Sequence, residues 1–453
     1  MRNLSQHGVK APALPPQTPR MTIFRQFLRR EGIQNFLKLF SSSLLAQGLS
    51  LALSPLFARL FTPEDFGLVA LYLGIFSVLS VLATAKYEQA IMLPRSDQAA
   101  RSLFWLVQFI CLPFALLVLL VVFLGGDFIT TLSGNAALRP WLWFLPLSLL
   151  MHGLFQGATF YANRHKQFGI MAGSTLVHYS VLNGTRVTTG WLGTAFNGLL
   201  AAQIVAQVVS AFYMILRSAR KLFRPDDALS LERIGEQARI YSGYPRFNLL
   251  LNFTNNLSGA LPIFMFTRGF SAEVAGLYAF GYTFIFRPLS LFSQSTLQVL
   301  SQKIIEDYHH GRYVYPALKK LVMRFFWLGI IPFTLLAIFA PAVFRLVFTE
   351  EYLLAGRFLQ VLSPWLFAVF LTSPLSFVPE LFFHQKKAMI IDIVLLVLRF
   401  LALGAGIWRQ DLWLSLWLFS GVSFLVVTYC LLWYLSLARL HNPAQMQSND
   451  PKT

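Results

Sequence analysis

The sequence is poor in charged residues and in cysteine. Only 12% of its 453 residues are Asp, Glu, Lys or Arg, whereas soluble domains carry about 25%. This deficit excludes a disordered chain, a coiled coil and an ordinary soluble enzyme. The two cysteines, Cys111 and Cys430, lie inside apolar runs. They therefore provide neither a disulfide framework nor metal-ligand spacing, and we expect no metal and no cofactor.

Among the charged residues, acidic ones are fewer than basic ones. The chain has 19 Asp and Glu against 37 Lys and Arg, a net charge of +18. In a soluble protein this excess would indicate nucleic acid. Here 56% of the residues are hydrophobic, so the excess indicates cytoplasmic loops that face anionic membrane lipids, with no nucleic-acid partner.

A cleavable signal peptide is also missing from the N-terminus. Residues 1–32 are polar and basic, and the first apolar run begins near Ile33. A secretory signal would place a short apolar core near its positive start. We therefore expect 1–32 to be a basic cytoplasmic tail, with a possible amphipathic lead-in helix over 21–32.

What the chain has in abundance is long apolar segments with short polar breaks. Twelve can be counted: 35–58, 67–91, 103–125, 141–163, 169–189, 195–216, 247–266, 276–300, 321–344, 358–383, 388–407 and 412–437. An even number places both termini on one side. The loops on that side carry more than four times as many Lys and Arg as those on the other. The positive-inside rule therefore predicts that both termini are cytoplasmic.

The short loops between the predicted spans exclude further classes of function. No predicted outer loop could hold a sugar donor, there is no room for a nucleotide-binding domain, and no P-loop pattern is present. A membrane glycosyltransferase or polymerase is therefore disfavoured. We expect a protein that moves a substrate and is not an enzyme.

The chain contains an internal repeat at an offset of 209 residues. FARLFTPEDFGLVA (57–70) aligns with FTRGFSAEVAGLYA (266–279), and half of the positions are identical, including Arg, Glu and Gly. Thr62 and Ser271 are expected to cap helices, while Gly67 and Gly276 would allow helices to approach closely. The copies are six spans apart, so they run in the same direction and predict parallel repeats about an axis along the membrane normal.

The predicted fold is an all-α polytopic membrane protein with about twelve transmembrane helices in two parallel six-helix bundles around a central cavity. The predicted parts are the N-terminal tail 1–32, an N-lobe 33–216, a cytoplasmic linker 217–243, a C-lobe 244–437 and a cytoplasmic C-terminal tail 438–453.

Five segments in order resemble the polysaccharide transporter family of the MOP flippase superfamily. They are RLFTPEDFGLVALY (59–72), KYEQAIMLP (86–94), YPRFN (244–248), EVAGLYAFGYTFIFRPLSL (273–291) and FTEEYLLAGRFLQVLSPWLF (348–367). The resemblance implies two lobes around a cationic cavity, and alternating access for an oligosaccharide on undecaprenyl diphosphate. It further implies the inner membrane, membrane lipids and, as candidate partners, a polysaccharide polymerase and a chain-length regulator.

Carrying a diphosphate and sugars through hydrocarbon requires buried cations, amides and hydroxyls. Arg287 is the strongest candidate for the diphosphate, because it lies about 16 Å into span 8 and Pro288 follows it. The alternative is a structural arginine that bridges helices. Asn248, Asn252, Asn255 and Asn256 share one face of span 7 and suit sugar hydroxyls, or else interhelical hydrogen bonds.

The remaining candidates are less specific. Arg186 and Lys86 are further candidates for substrate binding, although Lys86 at the predicted end of span 2 would by default extend to the membrane interface. Asp392, Arg399, Glu88 and His178 are candidates for ion coupling; for Asp392 and Arg399, bonds to other helices are the favoured interpretation.

A second function remains open at this point. A multidrug or small-cation exporter of the same fold would need an acidic or aromatic cavity, whereas the deepest predicted charge here is that of Arg287. The arginine therefore favours an anionic substrate.

Overall fold

The protein consists of long helices. The computed structural model describes the backbone of residues 30–193, 196–223 and 230–441, and the regular secondary structure there is helical throughout. Side chains are described in these ranges except at 30–40, 246–247, 291–292, 294–296, 298–300, 302–303 and 309. A long helix lies at each predicted span: α1 Arg30–Ala52, α2 Pro63–Thr84, α3 Asp97–Ser133, α4 Leu145–Arg164, α5 Phe168–Trp191, α6 Gly198–Leu222, α7 Leu249–Gly269, α8 Ala272–His309, α9 Tyr315–Val347, α10 Leu353–Thr372, α11 Gln385–Trp408 and α12 Leu412–Leu440.

Most of these helices are suited to lipid. In the described part of the chain, eight are long and apolar enough to cross a membrane, and α1 with its bent continuation Ser54–Leu60 would be a ninth. The helices α4, α5 and α8 fall outside this group, and α5 and α8 carry the predicted cations Arg186 and Arg287. The α-helical multi-pass fold is confirmed, while the count of twelve spans stays a prediction.

The helix pairing of the first half recurs in the second. The pairs α1/α5, α5/α6, α3/α4 and α4/α6 pack together, and so do the corresponding pairs α7/α11, α11/α12, α9/α10 and α10/α12. Buried apolar side chains group mainly within each half. The recurrence is that of a parallel repeat and supports the predicted lobes 33–216 and 244–437, whose boundaries stay a prediction.

The two halves meet where α2 crosses α8, at the repeated glycines. A Cβ on Gly67 would overlap the backbone carbonyl oxygen of Ala272, and a Cβ on Gly276 would overlap that of Pro63. Since Gly67 corresponds to Gly276 and Pro63 to Ala272 in the repeat, the contact is reciprocal, as in an interface related by a two-fold axis. The expected role of these glycines in close helix approach is confirmed.

Both expected helix caps are present. The Thr62 hydroxyl accepts a hydrogen bond from the amide of Asp65 at 3.3 Å, and the Ser271 hydroxyl accepts one from the amide of Val274 at 3.1 Å. Each hydroxyl satisfies one backbone N–H that has no partner within its own helix.

The predicted end of the second span was wrong. The α2 helix ends at Thr84 and not at 91, because Ala85 and Lys86 adopt left-handed backbone conformations, with φ of 47° and 62°. A 3-10 turn, Tyr87–Met92, follows. In the predicted linker 217–243, whose bounds stay a prediction, α6 continues to Leu222 and a ten-residue helix covers Leu231–Ile240.

The described residues cover only short parts of the two predicted terminal tails. The α12 helix extends to Leu440, three residues into the predicted C-terminal tail 438–453. The predicted tail 1–32 lies outside the described residues up to position 29, and the rest of the C-terminal tail lies outside them from 442 onward.

Candidate substrate site

Arg287 lies in the middle of α8 and is half-buried. Pro288 follows it inside the helix. Because proline has no N–H, it leaves the carbonyl of Phe284 without its helical hydrogen bond. Within the described side chains, Arg287 has no carboxylate within ion-pair distance, so its charge is uncompensated by the protein there.

Arg186 on α5 is a second arginine without a counter-ion. Its side chain is buried, with 9% of the residue exposed, and its guanidinium lies 5.5 Å from the ring centre of Phe57. The buried Nε atom has no hydrogen-bond partner. Within the described ranges Arg186 forms no ion pair. Its one cation–π contact there is with the Phe57 ring.

These two arginines come from opposite halves of the chain. They lie within electrostatic range of each other and of His178, two turns away from Arg186 on α5. His178 contacts Ser210 on α6 through Nδ1 at 3.3 Å. The side chains of Arg186, His178 and Arg287 are therefore close enough for their charges to interact.

Such a cluster is unfavourable without an anion. Placing a cation at the bilayer centre costs about 2.5–3.5 kcal/mol on insertion scales, and a second like charge adds repulsion. Water in a cleft lowers this cost, and an oligophosphate could accept hydrogen bonds from both guanidinium groups in forked geometry.

The predicted amide face of α7 is open on one side. Successive helical residues are offset by about 100°, so Asn252 and Asn255 share a face with Gly259. A Cβ on Gly259 would meet no atom within 4 Å, and Asn255 is exposed. Unfilled space therefore runs along this face of the helix.

The structure separates the four asparagines by their hydrogen bonds. The Asn248 amide donates to Gln89 Oε1 at 3.3 Å, and the Asn256 amide donates to the carbonyl of Ser77 on α2 at 3.0 Å. Asn252 donates to the carbonyl of Asn248. Asn255 makes no hydrogen bond within the described residues, which leaves it the asparagine best placed for a ligand. Binding by the group stays a prediction.

Lys86 was expected to extend toward the membrane interface, but its side chain is largely buried beside Glu88. The left-handed backbone turns Lys86 inward, where its Nζ lies 3.6 Å from Glu88 Oε1 and the two side chains are 14% and 2% exposed. The other carboxylate oxygen, Oε2, is buried without a hydrogen-bond partner. The pair is thus an internal ion pair, because charge compensation at the end of α2 outweighs extension toward water.

Arg399, in contrast, is held by the protein. Its Nε donates to Ser423 on α12 at 2.9 Å and its Nη1 to Ser258 on α7 at 2.8 Å. The guanidinium also lies 5.1 Å from the ring centre of Trp365 and 5.2 Å from that of Phe419. Bonds to other helices are therefore observed, as expected. Asp392 is half-buried and is not in ion-pair contact with Arg399 in the described structure.

Sequence reasoning did not identify Phe57, Ser77 and Gln89 as neighbours of this site. Their contacts join segments more than a hundred residues apart, and no local pattern reports such pairing. Among the described residues, no group of three or more His, Cys, Asp or Glu could hold a metal.

Comparison with known proteins agrees with this architecture. The sequence profile of the family described as polysaccharide biosynthesis protein matches residues 56–357. No curated protein sequence gives a significant match.

Solved transporters share the fold at low sequence identity. The lipid II flippase MurJ in an inward closed conformation aligns with a TM-score of 0.69 at 14% identity, covering 93% of this chain and 94% of its own. An inward-facing multidrug resistance transporter of the MATE family, in the MOP superfamily, gives 0.66 at 14% identity, covering 91% and 96%. The MATE multidrug transporter DinF-BH gives 0.63 at 15%, covering 90% and 95%.

The helix arrangement is thus that of MOP-superfamily transporters, and the sequence match extends over most of the chain. The protein therefore belongs to the polysaccharide biosynthesis protein family.

Proposed function

We propose that this protein is a flippase that moves an undecaprenyl-diphosphate-linked oligosaccharide from the cytoplasmic to the outer leaflet by alternating access. The polysaccharide biosynthesis family and the fold shared with a lipid II flippase support a lipid-linked substrate. In this proposal the protein lies in the inner membrane with both termini cytoplasmic, and supplies a polysaccharide polymerase.

One observation carries the choice of substrate: Arg186 and Arg287, from two halves of the chain, lie within electrostatic range of each other, and neither has a carboxylate partner in the described structure. A cationic drug would be repelled by this pair. A diphosphate carries the opposite charge and can be chelated by two guanidinium groups at once. The alternative of a multidrug exporter is therefore disfavoured, although two fold relatives are multidrug transporters.

The open face of α7 supports the sugar part of the substrate. Asn255 and the space beside Gly259 lie on a helix that packs against both α2 of the first half and α8 of the second. An amide offers donors and an acceptor to sugar hydroxyls. In this proposal the arginines bind the diphosphate and Asn255 contacts the first sugars.

The direct test is binding by the purified full-length protein. We expect undecaprenyl diphosphate to bind wild type and to bind the Arg186→Ala and Arg287→Ala variants at least about tenfold more weakly, since each forked charge-assisted contact contributes about 1.5–3 kcal/mol. Arg217→Ala removes an exposed α6 arginine that stacks on Tyr213 and is the matched control. Stronger binding of a cationic dye than of the diphosphate by wild type would contradict the proposal.

A further inference from the structure

A second basic site lies away from Arg186 and Arg287. An open pocket of about 540 Å³ is lined by the segment after α2 and the turn between α4 and α5, including Arg95, Lys166, Met92 and Phe168. None of its lining residues lies on α7 or α8. By the positive-inside orientation it opens at the cytoplasmic membrane face.

Two charged residues in the wall of this pocket, Arg164 and Asp97, already have partners within the protein. Arg164 donates to the carbonyls of Met92 and Arg95, both at 3.3 Å. Asp97 lies 3.0 Å from His165 Nε2 and accepts a hydrogen bond from the Tyr161 hydroxyl at 3.0 Å. The single acidic group in the lining is thus compensated by its neighbours.

Two cations of the lining remain available. Arg95 and Lys166 are exposed, and in the described ranges neither side chain takes part in an ion pair or a hydrogen bond. Lys166 stands at a left-handed turn position, with φ of 54°. This turn at Lys166 and the hydrogen bond from Arg164 to the Arg95 carbonyl place both cations in the lining of the same pocket.

Apolar surface adjoins the cations. Met92 is 42% exposed and Leu93 is 54% exposed, three and two residues before Arg95 in the chain. A site with cations beside exposed apolar side chains fits an amphiphile, whose phosphate would meet the cations while its acyl chain covers the apolar residues.

We propose that this pocket binds the headgroup of an acidic phospholipid of the surrounding bilayer. A zwitterionic headgroup would need a free carboxylate for its amine, and Asp97 is already paired with Arg101 and accepts a hydrogen bond from Tyr161. Basic pockets between transmembrane helices at the cytoplasmic face suit lipid phosphates. The proposal does not depend on which substrate the protein moves.

The test measures lipid retention by the full-length protein in native mass spectrometry, with phosphatidylglycerol and phosphatidylcholine as probes. We expect wild type to retain one phosphatidylglycerol in preference to phosphatidylcholine. The double variant Arg95→Gln/Lys166→Gln should bind it about tenfold or more weakly, since both phosphate contacts are lost. Lys319→Gln/Lys320→Gln removes two exposed cations of α9 and should retain the lipid as wild type does.

Other outcomes overturn the proposal. Equal loss in both double variants would show a general charge effect and no defined site. Equal retention of the two lipids by wild type would show no acidic selectivity. Displacement of the lipid by millimolar inorganic phosphate would identify a soluble anion as the occupant, and preferential displacement by undecaprenyl diphosphate would identify the carrier. None of these measurements uses Arg287, so failure here is distinct from failure of the flippase proposal.

Discussion

A buried arginine can have its hydrogen bonds satisfied by its own protein or left unmade, and this chain contains both kinds. Arg399 donates to two hydroxyls and lies against two aromatic rings. Arg186 has an aromatic ring and an unpartnered Nε. Both residues are similarly buried. Burial alone therefore does not distinguish the two arginines, whereas the number of hydrogen bonds left unmade does.

Arg287 is expected to be required for polymer export. Arg287→Ala removes the guanidinium from the cluster with Arg186 and His178 and should abolish export. Arg287→Lys keeps the charge but loses the planar fork, so a partial defect of about tenfold is expected. The measurement is surface polysaccharide in cells that express each variant at the same membrane level. Normal export by a fully expressed Arg287→Ala variant would show that the residue is structural.

Arg399 is expected to act mainly on stability. Arg399→Lys replaces the two separate donor nitrogens that bond Ser258 and Ser423 by one ammonium nitrogen and loses the planar fork, so the free energy of unfolding should fall by about 1–3 kcal/mol. Thermal unfolding of the detergent-solubilised protein measures this change. A variant that melts like wild type but no longer transports would instead indicate the ion-coupling role.

At the scale of helices, the α2/α8 crossing is a close backbone approach between the halves. Gly67→Ala or Gly276→Ala would force a methyl group into a carbonyl of the opposite helix, and overpacking of this kind costs about 1–3 kcal/mol. Both variants should therefore melt at lower temperature. Gly259→Ala places the same methyl group in open space on α7 and serves as the control, because alanine there should be neutral or slightly stabilising. Equal melting of all three variants would refute the close approach.

Hydropathy predicted where the helices lie, because each span must bury its backbone polar groups in a continuous helix. It did not predict where α2 ends, since Ala85 and Lys86 are helix-compatible residues that the fold holds in left-handed conformation. The sequence predicts Arg287 as a candidate site residue, because charge and proline coincide there in one apolar run. The burial of Lys86 could not be predicted, because the ion pair of Lys86 with Glu88 depends on the 3-10 turn that follows α2.

At the scale of the whole molecule, the orientation in the membrane is the main untested prediction. Reporter fusions after residues 130 and 445 should report the outside and the cytoplasm, respectively, because Lys and Arg concentrate on the side of the termini. A matched fusion within the loop at 164–168 should report the cytoplasm. The same compartment at 130 and 445 would contradict the count of twelve spans.

The reciprocal contact of Gly67 and Gly276 also bears on how such a chain can arise. Each glycine faces the segment that is equivalent to its own surroundings, so a six-helix protein with this sequence would meet a second copy of itself at the same residue. Both copies would insert in the same direction, since six spans return the chain to its starting side. Duplication followed by fusion through a cytoplasmic connection would then preserve the dimer contact in one polypeptide. Afterwards the two copies are free to diverge, so that each half carries its own membrane arginine, Arg186 in the first and Arg287 in the second.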